Sequence, residues 1–275
     1  MLDILKDNNF RFNKKFGQNF IFDTNLLSAI VNDAGVDNTT KVLEIGPGAG
    51  TLTKKLCEKA EKVVSYEIDT NLKPILEENL KECTNSEIVF GDIMKQKTID
   101  IEEKLGGEYV MVANLPYYIT TPIIFKFLEE ATKLKSITIM VQKEVAERIC
   151  AKHNTEDYGA ITVQIGAIAD ARITRIVKRN MFKPAPNVDS AVVRIDFNQS
   201  KYDIENLDLF KRVVTSAFAM RRKTLANNLK SSFSLSMEKV SEVLANCGFR
   251  ADIRGEAIGI EDFVSLSNEL NKILR

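Results

Sequence analysis

The chain has 275 residues, 44% of them apolar and 28% charged, with acidic and basic side chains in equal number. That suits one large soluble domain, or one large and one small, with a sizeable core. A formal net charge of zero argues against a globally basic nucleic-acid binder, so only local basic patches bear on such a partner.

No apolar run approaches the length of a membrane span. The first twenty residues mix Asp3, Lys6, Asp7, Arg11, Lys14 and Lys15 with no apolar stretch, so they do not read as a secretory signal. A cytoplasmic protein with no membrane partner is expected. Cys57, Cys83, Cys150 and Cys247 are widely spaced, and His153 is the only histidine. A zinc site and a histidine-based triad are therefore not expected, nor is any other metal. The cysteines read as free thiols in a reducing compartment, and His153 as a solvated loop residue.

Strand and helix signals alternate through the first two thirds of the chain. Residues 41–45 read as a strand ending at Gly46, and a helix is expected over 51–59. Residues 62–68 form the next strand. Leu72, Ile75, Leu76 and Leu80 then follow helical spacing over 71–81. Residues 87–90 read as a third strand ending at Gly91, and 109–113 as a fourth. A helix over 122–130 has Pro122 in its first turn. A fifth strand over 136–141 precedes helices at 144–150 and 160–169. Residues 172–177 and 190–197 are β-rich and flank a Pro-containing loop. The pattern predicts βαβ units around a mostly parallel sheet, with an antiparallel edge pair from the last two strands. Beyond about residue 201 only helices are expected, over 207–218, 237–247 and 261–274. The predicted fold is α/β with a small all-α C-terminal domain, the division falling near 198–203.

The first strand runs into Glu44-Ile45-Gly46-Pro47-Gly48-Ala49-Gly50. Glycines at alternate positions let the backbone turn sharply and approach a ligand closely. Glu67 ends the next strand, where an acidic side chain can bind two ribose hydroxyls. A phosphate loop would need Gly-Lys-Ser/Thr, and the Lys is absent at Gly50-Thr51. A nicotinamide site prefers a wider glycine spacing. S-adenosylmethionine (SAM), with a ribose and adenine but no phosphate, fits the missing Lys. The plainer alternative is a tight turn without a ligand. Asp92 follows the third strand, placed to accept from an adenine amino group or simply to cap a helix.

Asn114-Leu115-Pro116-Tyr117 follows the fourth strand. In open α/β sheets, ligands bind outside the carboxyl ends of the strands. An amide there can accept from an amino group, and the Tyr117 ring can stack on a flat heterocycle. The alternative for Tyr117 is a core residue covering the strand end. Phe182 lies in a Lys- and Pro-rich loop, where an apolar ring is harder to explain as core. Pro184 and Pro186 would stiffen that loop.

Together with Phe16-Gly17-Gln18-Asn19-Phe20-Ile21, Tyr66-Glu67-Ile68-Asp69, Gly91-Asp92 and the run from Phe182 to Val193, these blocks closely resemble the KsgA/Dim family of ribosomal RNA adenine dimethyltransferases. The resemblance spans nearly the whole chain. It implies a Rossmann-like SAM-dependent methyltransferase domain over 1–200, with 1–23 as a lid and RNA-contact segment. A helical RNA- or ribosome-contact domain would occupy 201–275. It also implies that Asn19 and the Ile21 backbone close over the methionine end of SAM. Gly46, Gly48 and their neighbours would carry backbone contacts, Glu67 the ribose and Asp92 the adenine, with Ile68 and Ile93 in the same cofactor-binding set. Asn114 would lie between cofactor and base. The reaction implied is methyl transfer to the N6 amine of adenine. Two acceptors, the Asn114 side-chain oxygen and the backbone carbonyl of Leu115 or Pro116, would favour a more tetrahedral nitrogen. In-line alignment would supply much of the acceleration. The base must leave its stack to arrive, and Tyr117 and Phe182 would bracket it.

The family's substrate is two adjacent adenosines in the 3′-terminal hairpin loop of 16S ribosomal RNA, in an immature 30S subunit. A monomer is expected. An Erm-type 23S ribosomal RNA methyltransferase is one alternative, and a non-catalytic assembly or transcription factor on the same fold is another. The residues from Arg221 to Leu229 and from Asp252 to Glu256 resemble the KsgA/Dim family more than the Erm type. Basic clusters at Lys6, Arg11, Lys14 and Lys15, at Arg221, Arg222 and Lys223, and more loosely at Arg172, Arg175, Lys178, Arg179 and Lys183 are candidate phosphate contacts. Solvated surface is the plainer reading of each.

Overall fold

The computed structural model describes residues 19–116, 119–198 and 201–274. In chain order the elements are β1 (Phe20–Ile21), α1 (Thr24–Asp33), β2 (Lys41–Ile45), α2 (Thr51–Cys57), β3 (Lys62–Glu67), α3 (Lys73–Asn79), β4 (Ser86–Phe90), α4 (Thr98–Leu105), β5 (Tyr109–Asn114), α5 (Thr120–Glu130) and β6 (Leu134–Gln142). There follow α6 (Lys143–Ile149), α7 (Ala160–Gly166), β7 (Ala169–Val177), β8 (Phe182–Lys183) and β9 (Ser190–Phe197). Four helices close the chain: α8 (Leu207–Ala219), α9 (Leu225–Phe233), α10 (Met237–Asn246) and α11 (Ile260–Leu274).

Two compact units emerge. One holds the described residues up to Ala146 together with Arg172–Asp196. The other holds Glu147–Ala171 with the described residues from Phe197 onward. The helical unit thus takes in a segment, 147–171, that strand-and-helix alternation had placed with the sheet. The physical reason is that α7 carries Val163 and Ala167 into the same apolar core as α8 and α11.

In the first unit a seven-stranded sheet runs in the order β4-β3-β2-β5-β6-β9-β7. From β4 to β6 all pairings are parallel, and β9 lies antiparallel to β6. Val42, Leu43, Val63, Val64, Met111, Val112, Ile137 and Ile139 are all fully buried. Such unbroken apolar runs are what a parallel sheet covered on both faces requires. The chain builds β2, β3 and β4 outward to one side, then returns to lay β5 and β6 on the other. The strand order therefore reverses between β2 and β5, and crevices for ligands open at such a reversal.

The expected strands are all present; 41–45 and 190–197 match end for end, and the other strands' ends shift by up to three residues. The helix expected over 71–81 begins as a 3-10 turn at Thr70–Leu72 and becomes α3 only at Lys73, because Asp69 caps Asn71 and Pro74 sits in the helix's first turn. Helices α1, α4 and α9 were not expected.

The second unit is a helical cluster. Phe210, Val213, Val214 and Ala217 repeat at three- and four-residue spacing along α8 and are buried with Leu225, Leu229, Val240, Val243, Phe263 and Leu270. Asn206, Thr224 and Ser236 cap their helices through side-chain oxygens. The buried Asn228 amide donates to the carbonyls of Ala217 (3.0 Å) and Met220 (3.3 Å) at the α8 C-terminus, where helix carbonyls run out of intrahelical donors; Met220 also accepts from Lys223 N (2.9 Å). A Cβ on Gly255 would stand 2.9 Å from the Ala217 carbonyl oxygen, so only glycine permits this approach. No helix among the described residues is long and apolar enough to cross a membrane.

Candidate functional site

A cleft of about 810 Å³, part of it open solvent, lies at the carboxyl ends of β2, β3 and β5. Its lining brings together Asn19, Gly46, Gly48, Glu67, Ile68, Asp92, Ile93, Asn114, Leu115 and Pro116. These come from five separate stretches of sequence, and parallel strand register places them at one level. Ile45 pairs with Tyr66 on one side and Ala113 on the other, so the residues just beyond each strand meet.

The loop after β2 is tied down by backbone and buried side chains. Gly46 N donates to the Tyr66 carbonyl (2.9 Å), and Gly50 N to the Pro47 carbonyl (2.9 Å). Glu67 is only 4% exposed. One of its carboxylate oxygens accepts from Gly48 N (3.1 Å), the other from Asp69 N (2.8 Å). Burial raises its pKa, and these two backbone donors oppose the rise. Asn79 on α3 donates from its amide to the Ala49 carbonyl (2.7 Å) and so grips the loop from outside. Asp92 caps the turn after β4 through Met94 N (3.0 Å) while lining the cleft. Asp92 thus caps the turn and lines the cleft at once.

Beneath the loop, Glu44 is fully buried. One carboxyl oxygen accepts from Thr53 Oγ1 and Ser65 Oγ, each at 2.7 Å. The other has no partner among the described residues. Burial pushes its pKa from the ordinary 4.5 to about 7, despite the two hydroxyl donors, and the nearby Glu67 adds to the rise. Glu44, Asn79, Thr53 and Ser65 were not singled out from sequence. A charged residue inside the apolar run Val42-Leu43-Glu44-Ile45 was the available signal.

Asn114 ends β5, half-buried, and donates from Nδ2 to the Asn19 carbonyl (2.9 Å). The Pro116 carbonyl already accepts from Ile119 N (3.1 Å) and Thr120 Oγ1 (3.4 Å). Among the described residues nothing donates to the Leu115 carbonyl. Of the two backbone acceptors considered, Leu115 is therefore the one with no donor among the described residues.

Phe182 departs from expectation. Its ring is 2% exposed, packed with Ile21, Leu27 and Val177, and does not line the cleft. The two-residue strand β8 pairs with β1. Strand alternation turns Lys183 outward and Phe182 into the core. Its assignment as one side of a base clamp is corrected accordingly. Tyr117, Lys14 and Lys15 lie outside the described residues, as do Lys6 and Arg11. Ile21 is buried in the same core as Phe182.

The basic clusters also separate. Arg172 pairs with Asp196, Arg175 with Asp33, and Lys178 with Asp189, so the loose third group is largely neutralised. The Arg175 guanidinium holds the Asp33 carboxyl below its usual range. Arg221 donates to the Glu156 carbonyl (2.7 Å) and lies 3.8 Å from Glu256. Arg222 and Lys223 are exposed and have no ion pair among the described residues.

Gly48 has a left-handed φ of +59°, and a Cβ there would stand 2.5 Å from Phe20 Cε1. Gly48→Ala is expected to lose about 1–3 kcal/mol from backbone strain alone, and more if the ring is displaced. Urea unfolding checks this: an unchanged midpoint would show that ring and loop yield freely.

A family model described as ribosomal RNA adenine dimethylase matches residues 9–272. The chain belongs to the ribosomal RNA adenine dimethylase family. It is 42% identical over 275 residues to the "Ribosomal RNA small subunit methyltransferase A" of Clostridioides difficile, covering 98% of this chain and 94% of that one. The protein of the same name from Clostridium acetobutylicum is 43% identical over 270 residues, covering 97% and 96%. Among solved structures, a dimethyladenosine transferase from Plasmodium falciparum aligns with a TM-score of 0.80 and 26% identity, covering 92% of this chain and 98% of that one. The 23S rRNA methyltransferase ErmE aligns at 0.71 and 27%, covering 92% and 100%. The adenine dimethylase family uses SAM, and the cleft suits it. Among the described residues no Lys, Arg or His lines it, so none of them offers a phosphate a cationic side chain. Glu67 and Asp92 line it with carboxylate acceptors, and Ile68 and Ile93 with apolar walls.

Proposed function

We propose that this chain dimethylates the N6 amines of two adjacent adenosines in the 3′-terminal hairpin loop of 16S ribosomal RNA. It does so on the immature small subunit, as a cytoplasmic, metal-free monomer. The observation that carries this reading is the pair of acceptors at the end of β5, Asn114 and Leu115, on the same cleft as Glu67 and Asp92. Curated relatives that match nearly the full chain at 41–43% identity are named for the small subunit, which favours it over the 23S target in the name of ErmE.

SAM supplies a methyl group already activated on a sulfonium. Glu67 would accept from ribose hydroxyls and Asp92 from the adenine amine of the cofactor. Asn19 and the Ile21 backbone close the methionine end, and backbone N–H groups of the Gly46–Gly50 loop line its path. The lone pair of the target amine is delocalised into its ring. Asn114 Oδ1 and the Leu115 carbonyl accept its two N–H bonds and draw the nitrogen toward tetrahedral geometry. The amine's lone pair would take the methyl group in line as the C–S bond breaks, the sulfur keeping that bond's electrons as a neutral thioether, and the nitrogen would then give up a proton to water. No strong base is needed. Tyr117 stacks on the base that has left its helix.

Arg222 and Lys223 would hold phosphates, with Arg221 committed in part to Glu256; Lys14 and Lys15 are proposed as further phosphate contacts. Removing both free cations, Arg222→Ala with Lys223→Ala, is expected to weaken RNA binding and to flatten its salt dependence. The slope of log K against log salt should fall by about 1.5 if each side chain meets one phosphate. Filter binding at several salt concentrations measures it, and an unaltered slope would remove both residues from the interface.

The function itself is tested by offering labelled SAM with immature small subunits, mature large subunits and naked RNA, then mapping the methylated base. Label confined to large-subunit RNA would overturn the small-subunit reading.

A further inference from the structure

Strand β1 is only two residues long, yet it is held on four sides. Successive strand residues point to opposite faces. Phe20 enters an apolar cluster with Ala49, Leu72, Ile75, Leu76 and Leu80, whereas Ile21 enters a different one with Leu27, Ile30 and Phe182. β8 pairs with the strand's backbone. The fourth tie is the hydrogen bond from Asn114 Nδ2 to the Asn19 carbonyl. The Phe20 ring lies so close over Gly48 that no Cβ fits between them, and the ring of Phe22 meets its edge at 6.5 Å between centroids.

A carboxamide has a donor end and an acceptor end of nearly the same shape, so its orientation is set by its partners. The Asn19 carbonyl can only accept. It therefore selects the orientation with Nδ2 toward β1 and Oδ1 turned away. A flipped amide would set N–H against the N–H of a target amine, and it would leave two oxygens facing each other at Asn19. We propose that Phe20 is a positioning residue for Asn114. Wedged on the Gly48 backbone, it fixes the Asn19 carbonyl, which binds Asn114 Nδ2 and so directs Oδ1 at the target amine. This rests on the reading of Asn114 as an acceptor for that amine. It also gives Gly48 a second reason to be glycine, namely room for the ring.

Asn114→Asp turns the contact into a titration. An ionised carboxylate would face the Asn19 carbonyl oxygen, and the acids lining the same cleft, Glu67 and Asp92, disfavour the charge as well. Among the described residues Tyr66 is the remaining titratable group in that lining. The introduced carboxyl therefore keeps its proton, which it donates to Asn19. Carboxyl ¹³C NMR of the ligand-free full chain follows its titration without any need for turnover. The expected result is a midpoint at least about one pH unit higher in Asn114→Asp than in Asn114→Asp with Phe20→Ala. The latter leaves Glu67 and Asp92 in place but frees the carbonyl. Asn114→Asp with Ile119→Ala opens the cleft lining without touching β1 and should keep the high midpoint. If Phe20→Ala does not fold, Phe20→Val shortens the wedge and should lower the midpoint in the same direction. Equal midpoints with and without the Phe20 ring, or an equal drop with Ile119→Ala, would overturn the proposal. Methyl transfer by Asn114→Asp should survive only on the acid side, falling tenfold per pH unit above the carboxyl midpoint. Absence of adenine methylation by the wild-type chain, with the titration difference intact, would instead sink the proposed reaction and leave the β1 contact standing.

Discussion

Asn114→Ala is expected to lower methyl transfer by about 10³-fold, the scale seen when one oriented hydrogen-bonding group is taken from a transition state. RNA affinity should stay close to wild type, because the side chain meets one base and no phosphate. The loss has two parts. The amine loses the acceptor that bends its nitrogen out of plane, and β1 loses the donor that holds the Asn19 carbonyl at 2.9 Å. The second part should also show as about 1 kcal/mol of stability. Single-turnover transfer and filter binding on the same preparation separate chemistry from affinity. Wild-type turnover by this variant would remove Asn114 from the mechanism.

The largest effect on stability is expected from Glu44. Its carboxyl is fully buried, with one oxygen unpartnered, and its pKa stands at about 7 instead of 4.5. A raised folded-state pKa means that the folded chain binds more protons than the unfolded one between those values. Stability from this group is therefore complete below about pH 4.5 and is lost as pH rises through about 7. At about 1.4 kcal/mol per pH unit the loss comes to ~3 kcal/mol. Glu44→Gln keeps an acceptor for Thr53 and Ser65 and carries no charge, so the variant should lack this decline. Urea unfolding of both proteins from pH 4.5 to 8 gives the difference directly. A difference that does not vary with pH would show that Glu44 stays ionised, or neutral, throughout. Thr53 lies in the first turn of α2 and Ser65 in β3, so the Glu44 carboxyl ties together the two elements that flank the glycine loop.

Much of the cleft was legible because its parts sit at the ends of parallel strands. Apolar runs such as Val63-Val64 and Val110-Met111-Val112 announce buried strands, and whatever follows them must meet at the sheet's carboxyl edge. Glu67, Asp92 and Asn114 were found that way. Residues whose meaning depends on distant pairing were not. Phe182 looked like an exposed ring because its loop is rich in Lys and Pro. Its burial comes from a two-residue strand pairing with β1, over 160 positions away in sequence. Glu44 was passed over as one acid in a strand, although its neighbours made it a buried one. Helix α1 carries a cap at Asp23 and buried Leu27, Ile30 and Val31, a readable signal that went unused. Helix α4 has no side-chain cap and buries polar Thr98 and Glu102 along with Ile101 and Leu105, so its periodicity is blurred. The third basic group looked free because its partners, Asp33, Asp189 and Asp196, come from other parts of the fold.

The place of β9 bears on how the chain is made. β9 sits between β6 and β7 in the sheet, yet it is synthesised after both. While the chain emerges, β6 presents a bare row of peptide groups along its outer edge, and β7 has no sheet neighbour to join. Such an edge is an open template for other strands. It stays open until Ser190–Phe197 has been added, so the sheet cannot be sealed as each βαβ unit appears. Completion waits on a strand from the last third of the chain, whose arrival also precedes most of the helical unit. A nascent chain halted before Ser190 would thus hold most of the cleft-lining segments while its sheet remained unsealed and prone to pair with its neighbours.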